Sequence, residues 1–153
     1  MTTSISEIRK DFPLLMSNDV IYLDTAATSQ KPSCVLEAER TFYEKYNANP
    51  LRGLYELGEA ATEKYEEARE AVREFLNARE AAEIVFVRNA TEGLNLVAYS
   101  LSSLVLKPGD EILVSIMEHH SNLLPWQQAA ARTGAVVKYL ECTEDGKLSL
   151  IHI

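Results

Sequence analysis

Apolar residues recur at helical spacing in two long segments of the chain, residues 33–46 and 58–77. In the second segment one face is apolar, whereas the other carries a run of charged side chains that is typical of a face in contact with water. A shorter helix is expected at residues 4–12, because a serine can cap its start and Pro13 can end it. The first half of the chain is therefore predicted to be mainly helical.

From residue 83 onward, short apolar runs alternate with helical segments. The predicted strands are residues 83–87, 111–116 and 135–140, and the predicted helices are residues 91–104 and 122–133. An earlier short strand is expected at residues 20–23. Strands that alternate with helices at this pitch are typical of βαβ units. We therefore predict an α/β fold with a mostly parallel sheet flanked by helices, and an unfinished sheet, because the chain ends shortly after the last expected strand.

Composition and charge narrow the classes of partner. The chain has 153 residues, 46% of them hydrophobic and 25% charged, which suits one modest core. Its net charge of -8 repels phosphate backbones, so we expect no nucleic-acid partner.

No segment is apolar over the length of a membrane span, and none has the charged-then-apolar order of a signal peptide. This predicts a cytoplasmic protein without membrane contact. Cys34 and Cys142 lack metal-ligand spacing, so we expect free thiols and no metal site.

Two polar loops follow expected strands, at residues 88–93 and 117–122. The carboxyl ends of parallel strands collect ligands, so the loops are predicted to form two walls of one small-molecule site. Thr91 is the expected N-cap of a helix, where its hydroxyl and the first amides suit an anion. Taken alone, Thr91 could equally cap its helix without binding any ligand. His119 and His120 could stack on an aromatic cofactor or move protons, with one ring expected to point away; taken alone, they also fit a polar loop.

Four short motifs, at residues 22–27, 49–53, 86–95 and 117–126, occur in an order that resembles one family. The chain resembles the N-terminal portion of cysteine desulfurases of the SUF-system type, enzymes with the class V aminotransferase fold. The run from Glu118 to Asn122, with Pro125 and Trp126 downstream, is the most specific part. The resemblance implies the incomplete N-terminal part of a fold-type I transferase that depends on pyridoxal 5'-phosphate (PLP). Residues 1–19 would be a helical segment that joins the small domain, and residues 20–153 a partial, truncated PLP-binding large domain.

The resemblance also implies a cofactor, site residues and partners. Pyridoxal 5'-phosphate (PLP) would bind with its phosphate at Ala90 and Thr91 and its ring against His119, which is also the candidate proton relay. Ala26 and Ala27 match small residues at the substrate end, and Arg52 matches an arginine near the subunit interface. The implied partners are L-cysteine as substrate, a second copy in a homodimer and a sulfur-acceptor scaffold protein.

The implied reaction converts L-cysteine to L-alanine and passes sulfur through an enzyme persulfide to iron–sulfur cluster assembly. The chain departs from the family at Leu51, where a histidine is common, and at Ala90, where a lost hydroxyl removes one hydrogen bond, about 1 kcal/mol. The lysine that holds the cofactor and the reactive cysteine are expected further downstream; Lys138, Lys147 and Cys142 do not match them. We therefore expect an incomplete desulfurase that is inactive alone.

Two alternatives remain open from the sequence. One is another enzyme of the same fold, such as a selenocysteine lyase or a kynureninase-like hydrolase, because the first third of the fold does not determine the substrate. The other is a non-catalytic remnant that acts as a dimerisation module, because an unfinished parallel sheet exposes apolar faces and an edge.

Overall fold

The computed structural model of the protein describes residues 4–148, which divide into two units between Ile84 and Val85. The outer ends of the two predicted domains, residues 1–3 and 149–153, lie outside the described residues. Within residues 4–148, no helix is both long enough and apolar enough to cross a membrane. The first unit is built from four helices and one short 3-10 helix: α1 (Ile5–Lys10), α2 (Pro13–Ser17), α3 (Ser33–Lys45), α4 (Glu56–Leu76) and the 3-10 helix Ala81–Glu83.

A serine begins the first helix, as the sequence predicts. Ser4 Oγ accepts a hydrogen bond from the Glu7 amide at 3.3 Å. Pro13 does more than end this helix, because it also occupies the first turn of α2, a helix that the sequence pattern does not predict. Proline is tolerated there, since the first helical amide has no partner within the helix. The amide of Ser33 donates to the carbonyl of Asp11 at 2.7 Å and so joins the start of α3 to the end of α1.

The long helix α4 begins two residues before the expected position and ends close to it. Asn77 closes it in the left-handed region, at φ +54°, and donates its amide to the carbonyls of Arg73 and Glu74. The guanidinium of Arg73 donates to the carbonyl of Ala78 at 3.0 Å, and that of Arg69 donates to the carbonyl of Ile84. These contacts hold the chain that follows α4 against the last turns of the helix.

The strand predicted at residues 20–23 is wrong, since the structure forms no strand there. The carbonyl of Val20 accepts from the Arg9 guanidinium at 3.0 Å, and the Tyr22 hydroxyl donates to the carbonyl of Thr28 at 2.5 Å. Ile21 and Leu23 are almost fully exposed, at 86% and 88%. A strand needs neighbouring strands to take its backbone hydrogen bonds, and here the carbonyl of Val20 is bound to an arginine side chain instead.

The strand predicted at residues 83–87 is also wrong. Glu83 lies in the 3-10 helix, and the carbonyl of Ile84 accepts from Arg69. Ile84 does have strand-like backbone angles, with φ -95° and ψ 117°. The sequence here thus favours an extended backbone. Whether a strand forms also depends on a neighbouring strand in space, which the local sequence pattern does not predict.

The second unit contains the parallel sheet. Strand β1 (Glu111–Ser115) pairs in parallel with β2 (Val136–Leu140), in a register that sets Glu111 beside Val136 and Ser115 beside Leu140. Helix α7 (Leu124–Thr133) connects the two strands, so the expected βαβ unit is confirmed. The helix predicted at residues 91–104 is present but divided into α5 (Ala90–Ser100) and α6 (Ser102–Val105).

Small side chains form the contact between α5 and α7. Ala98 and Ala129 are fully buried or nearly so, as is Ser102 at the start of α6. From α7, Arg132 Nη2 donates to the carbonyl of Ala98 at 3.3 Å, and its guanidinium carbon lies 5.0 Å from the centre of the Tyr99 ring. Small residues permit close approach of the helices, and Arg132 then spans them. This packing sets the position of α5 and therefore of its first turn.

Gly134, at the end of α7, combines a left-handed backbone with a close neighbour. Its φ is +77°, and a Cβ added there would lie 3.1 Å from the Cβ of Pro108. Gly109 has a similar φ of +89°, but nothing lies within 4 Å of its added Cβ. The two positions therefore separate the cost of the backbone angle from the cost of the contact.

We expect Gly109→Ala to lower the free energy of unfolding by about 1 kcal/mol, the cost of the left-handed region, and Gly134→Ala to lower it by about 2 kcal/mol. Urea unfolding followed by circular dichroism measures both. Equal losses in the two variants would show that Pro108 moves aside without cost.

Candidate functional site

The two polar loops of the second unit meet at one cavity of about 370 Å³. This volume lies within the range of small-molecule sites. One wall comes from the first turns of α5, and the other comes from the loop after β1 and the start of α7. The lining residues are Thr91, Asn95, His119, His120, Ser121, Leu124, Pro125 and Gln128.

Asn89, not Thr91, caps α5. Its Oδ1 accepts the amide of Glu92 at 2.9 Å, and its carbonyl accepts the amide of Gly93 at 3.1 Å. The prediction that Thr91 is the N-cap is therefore wrong, and Thr91 is the second residue of the helix. Asparagine is among the preferred capping residues, so the sequence did contain the signal for this position. Because Asn89 does the capping, the exposed Thr91 hydroxyl is left to the cavity.

The first turn of α5 presents backbone donors. The Asn89 side chain satisfies the third amide of the helix, whereas the amides of Ala90 and Thr91 have no acceptor among residues 4–148. A helix supplies no partner for these first amides, and its dipole places partial positive charge at the same end. The start of α5 therefore suits an anionic group such as a phosphate.

The acidic side chain in this first turn is directed to Arg88. The Glu92 carboxylate accepts from the Arg88 side chain at 3.1 and 3.2 Å and from the Arg88 amide at 2.5 Å. The guanidinium bond, and after it the amide bond, holds the pKa of Glu92 below its usual range. Glu92 lines a neighbouring open groove that shares Thr91 and Asn95 with the cavity, and the charge of its carboxylate is paired with Arg88.

The histidine loop forms a short 3-10 helix, His120–Asn122, with His119 as its N-cap. The Nδ1 of His119 accepts the amide of Ser121 at 3.2 Å and lies 2.9 Å from the Ser121 hydroxyl. Both histidines are exposed and both line the cavity, with ring centres 6.1 Å apart. The expectation that one ring points away is wrong, because the 3-10 turn removes the alternation of a strand.

A chain of side-chain hydrogen bonds ties this loop to α7. Asn122 donates its Nδ2 to Glu118 at 2.8 Å, and its Oδ1 accepts the indole N–H of Trp126 at 2.9 Å. The three residues lie four apart in sequence and are partly buried. In the sequence, these residues are recognisable only as parts of a motif. Their contacts show that they brace the loop that carries His119.

The arrangement fits a flat ligand that carries a phosphate. The amides of Ala90 and Thr91 and the Thr91 hydroxyl can hold the phosphate, and the exposed imidazole of His119 can lie against a planar ring. Among residues 4–148, no group of three or more histidine, cysteine or acidic side chains could hold a metal ion.

The remaining predicted site residues lie in the first unit. Ala26 and Ala27 are exposed in a turn in which the carbonyl of Asp24 accepts the amide of Ala27 at 3.2 Å. Arg52 is exposed and follows Leu51, which has a left-handed φ of +68°. Such an angle strains a side chain with a Cβ and marks a backbone held by its surroundings. For Leu51, one such contact is its amide, which donates to the Thr62 hydroxyl at 2.9 Å.

The cysteines and the late lysines do not line the cavity. Cys34 is exposed on α3, Cys142 is half-buried, and both are free thiols, as expected. Lys138 lies 3.5 Å from the Glu111 carboxylate across the two strands. Lys147 pairs with Asp145 at 2.6 Å in a turn. None of these side chains contributes a nucleophile or an amine to the cavity in the described part of the chain.

Comparison with known families identifies a match over most of the chain. The family model for class V aminotransferases matches residues 21–153. A probable cysteine desulfurase of Synechocystis is 51% identical over 149 residues, which are 95% of this chain and 36% of the relative. The chain thus spans about a third of the length of this relative.

Solved structures give the same result. The apo structure of a cysteine desulfurase from Thermococcus onnurineus superposes with a TM-score of 0.88 at 44% identity, over 98% of this chain and 36% of that one. A C-DES mutant with glycine covalently linked to the PLP cofactor has a TM-score of 0.65 at 25% identity, over 87% of this chain and 33% of that one. These likenesses confirm the predicted class, part of an α/β fold-type I domain.

Proposed function

The chain belongs to the class V aminotransferase family, and on that premise we propose that it forms the cofactor-binding part of a PLP-dependent cysteine desulfurase. The observation that carries the proposal is the cavity shared by the first turn of α5 and the histidine loop. It combines helix amides for an anion with an exposed imidazole for a planar ring. The proposed substrate, L-cysteine, is taken from the similar proteins, which are cysteine desulfurases.

In this proposal the phosphate is bound by the amides of Ala90 and Thr91 and by the Thr91 hydroxyl. His119 would lie against the pyridine ring and would hold a proton at the cavity. When bound, PLP supplies an electron sink for bonds at the substrate's α-carbon. By the family resemblance, Ala26 and Ala27 would belong to the substrate end, where small side chains would leave room for the ligand.

The proposed overall reaction yields L-alanine from L-cysteine, with the sulfur transferred to an enzyme cysteine as a persulfide and then to a scaffold protein for iron–sulfur cluster assembly, as in the SUF system. Residues 1–19 would join the small domain, and residues 20–153 would form part of the large domain. The reactive cysteine is not assigned to Cys34 or Cys142, because neither thiol lines the cavity.

We further propose that Arg52 lies at the interface of a homodimer. The segment around it exposes apolar side chains, with Leu51 64% and Leu54 98% exposed, although it is held on α4 through Thr62. Apolar side chains presented on a held backbone are typical of association surfaces.

We expect Leu54→Glu, which places a charge in this surface, to shift the equilibrium from dimer to monomer in sedimentation equilibrium. A dimer of unchanged affinity in that variant would contradict this location.

Cofactor binding tests the phosphate site. We expect pyridoxine 5'-phosphate, which lacks the aldehyde and cannot react with lysines, to bind and to be displaced by inorganic phosphate. Thr91→Val should weaken binding roughly 10-fold, since it removes one hydrogen bond to a charged acceptor. Fluorescence of Trp126, the chain's single tryptophan, reports binding from α7.

Thr91→Ser is the matched control, because it keeps the hydroxyl and should bind like the unchanged chain. If the valine variant binds as tightly as the serine variant, the Thr91 hydroxyl does not contact the phosphate. Binding that is insensitive to inorganic phosphate would place the ligand elsewhere.

We expect these 153 residues alone to release no alanine from L-cysteine and PLP, beyond a mixture without protein. The physical reason is that Lys138 and Lys147 are paired with acidic side chains and do not line the cavity, so neither lysine is placed to hold the cofactor there. Amino-acid analysis of the mixture measures the product. Alanine formation that depends on the protein would refute this expectation.

A further inference from the structure

We propose that Ser121 is a positioning residue that fixes the neutral His119 ring in the tautomer with its proton on Nε2. The observation is a double contact at one ring nitrogen. His119 Nδ1 lies 3.2 Å from the amide nitrogen of Ser121 and 2.9 Å from its hydroxyl oxygen. The two groups belong to the same residue and reach the ring from within the 3-10 turn.

The amide determines the direction of the hydrogen bond. A backbone N–H can only donate, so the Nδ1 atom that it approaches must offer a lone pair and cannot carry a proton. In a neutral imidazole, one nitrogen is the donor and the other the acceptor. The proton is therefore on Nε2.

The hydroxyl strengthens this choice. A serine hydroxyl can donate or accept, but beside an unprotonated Nδ1 it must donate. The turn holds both groups in place, because the amide of Asn122 donates to the carbonyl of His119 at 2.8 Å and Asn122 is itself bound to Glu118 and Trp126. The ring orientation thus depends on the loop and not on a ligand.

The fixed tautomer leaves the Nε2–H of His119 as a hydrogen-bond donor at the cavity. With Nδ1 occupied by Ser121, Nε2–H is the group that His119 has left to give a hydrogen bond or a proton to a ligand. The use of this proton in catalysis rests on the proposed function. The tautomer itself is a property of the chain and can be measured without any cofactor.

The test is nitrogen-15 NMR of the full chain, labelled at histidine, at a pH of about 8.5, where histidines are ordinarily neutral. His119→Gln identifies the His119 signals by their loss. We expect His119 to show an unprotonated Nδ1 and a protonated Nε2 in a single tautomer. In Ser121→Ala, which keeps only the amide donor, we expect a measurable population with the proton on Nδ1, whereas Ser121→Thr should restore the single tautomer.

A protonated Nδ1 in the unchanged chain would overturn the proposal. So would identical His119 signals in the alanine and threonine variants, because the hydroxyl would then have no effect. His120 is the internal control, and its tautomer ratio should be the same in Ser121→Ala and Ser121→Thr. Failure of pyridoxine 5'-phosphate to bind would count against the proposed function but would leave these NMR outcomes unchanged, so the two failures are distinguishable.

Discussion

The backbone amides at the start of α5 are the constraint on which the site depends. A helix cannot satisfy its own first amides, so each must find another partner or face solvent or a ligand. Asn89 satisfies the amide of Glu92, while those of Ala90 and Thr91 have no acceptor among residues 4–148 and so leave a position for an anion. The Glu92 carboxylate would compete for this position if it were not bound to Arg88. The capping arrangement thus both closes the helix and leaves two donors for a ligand.

A rigid environment is needed for such donors to act together with His119. The contact of α5 with α7 is made by small buried side chains and spanned by Arg132. At the other end of α7, Trp126 is bound to Asn122 and through it to Glu118. Helix α7 therefore connects both walls of the cavity: one through packing and the other through hydrogen bonds. Substitutions in α7 can alter the site without touching a ligand.

Local signals in the sequence were sufficient for most helices and for the central βαβ unit. Residues 33–46 and 58–77 were predicted within a few positions, because helical periodicity and end signals act over one or two turns. The pair β1 and β2 was predicted for a similar reason, since an apolar run, a helix and a second run occur in close succession. Thr91 is not the N-cap because Asn89, two residues earlier, has the stronger preference for that position, and this preference is itself local.

The sequence by itself determined most of the helices, the parallel pair of strands and the two polar loops, because each follows from propensities and periodicities of neighbouring residues. The tertiary structure alone decided the absence of strands at residues 20–23 and 83–87, where Arg9 and Arg69 bind the carbonyls of Val20 and Ile84. It also decided that both histidines line one cavity with Thr91 and that Ser121 binds the His119 ring. Pairing, side-chain direction and tautomer depend on groups brought together in space, and local pattern carries no information about them.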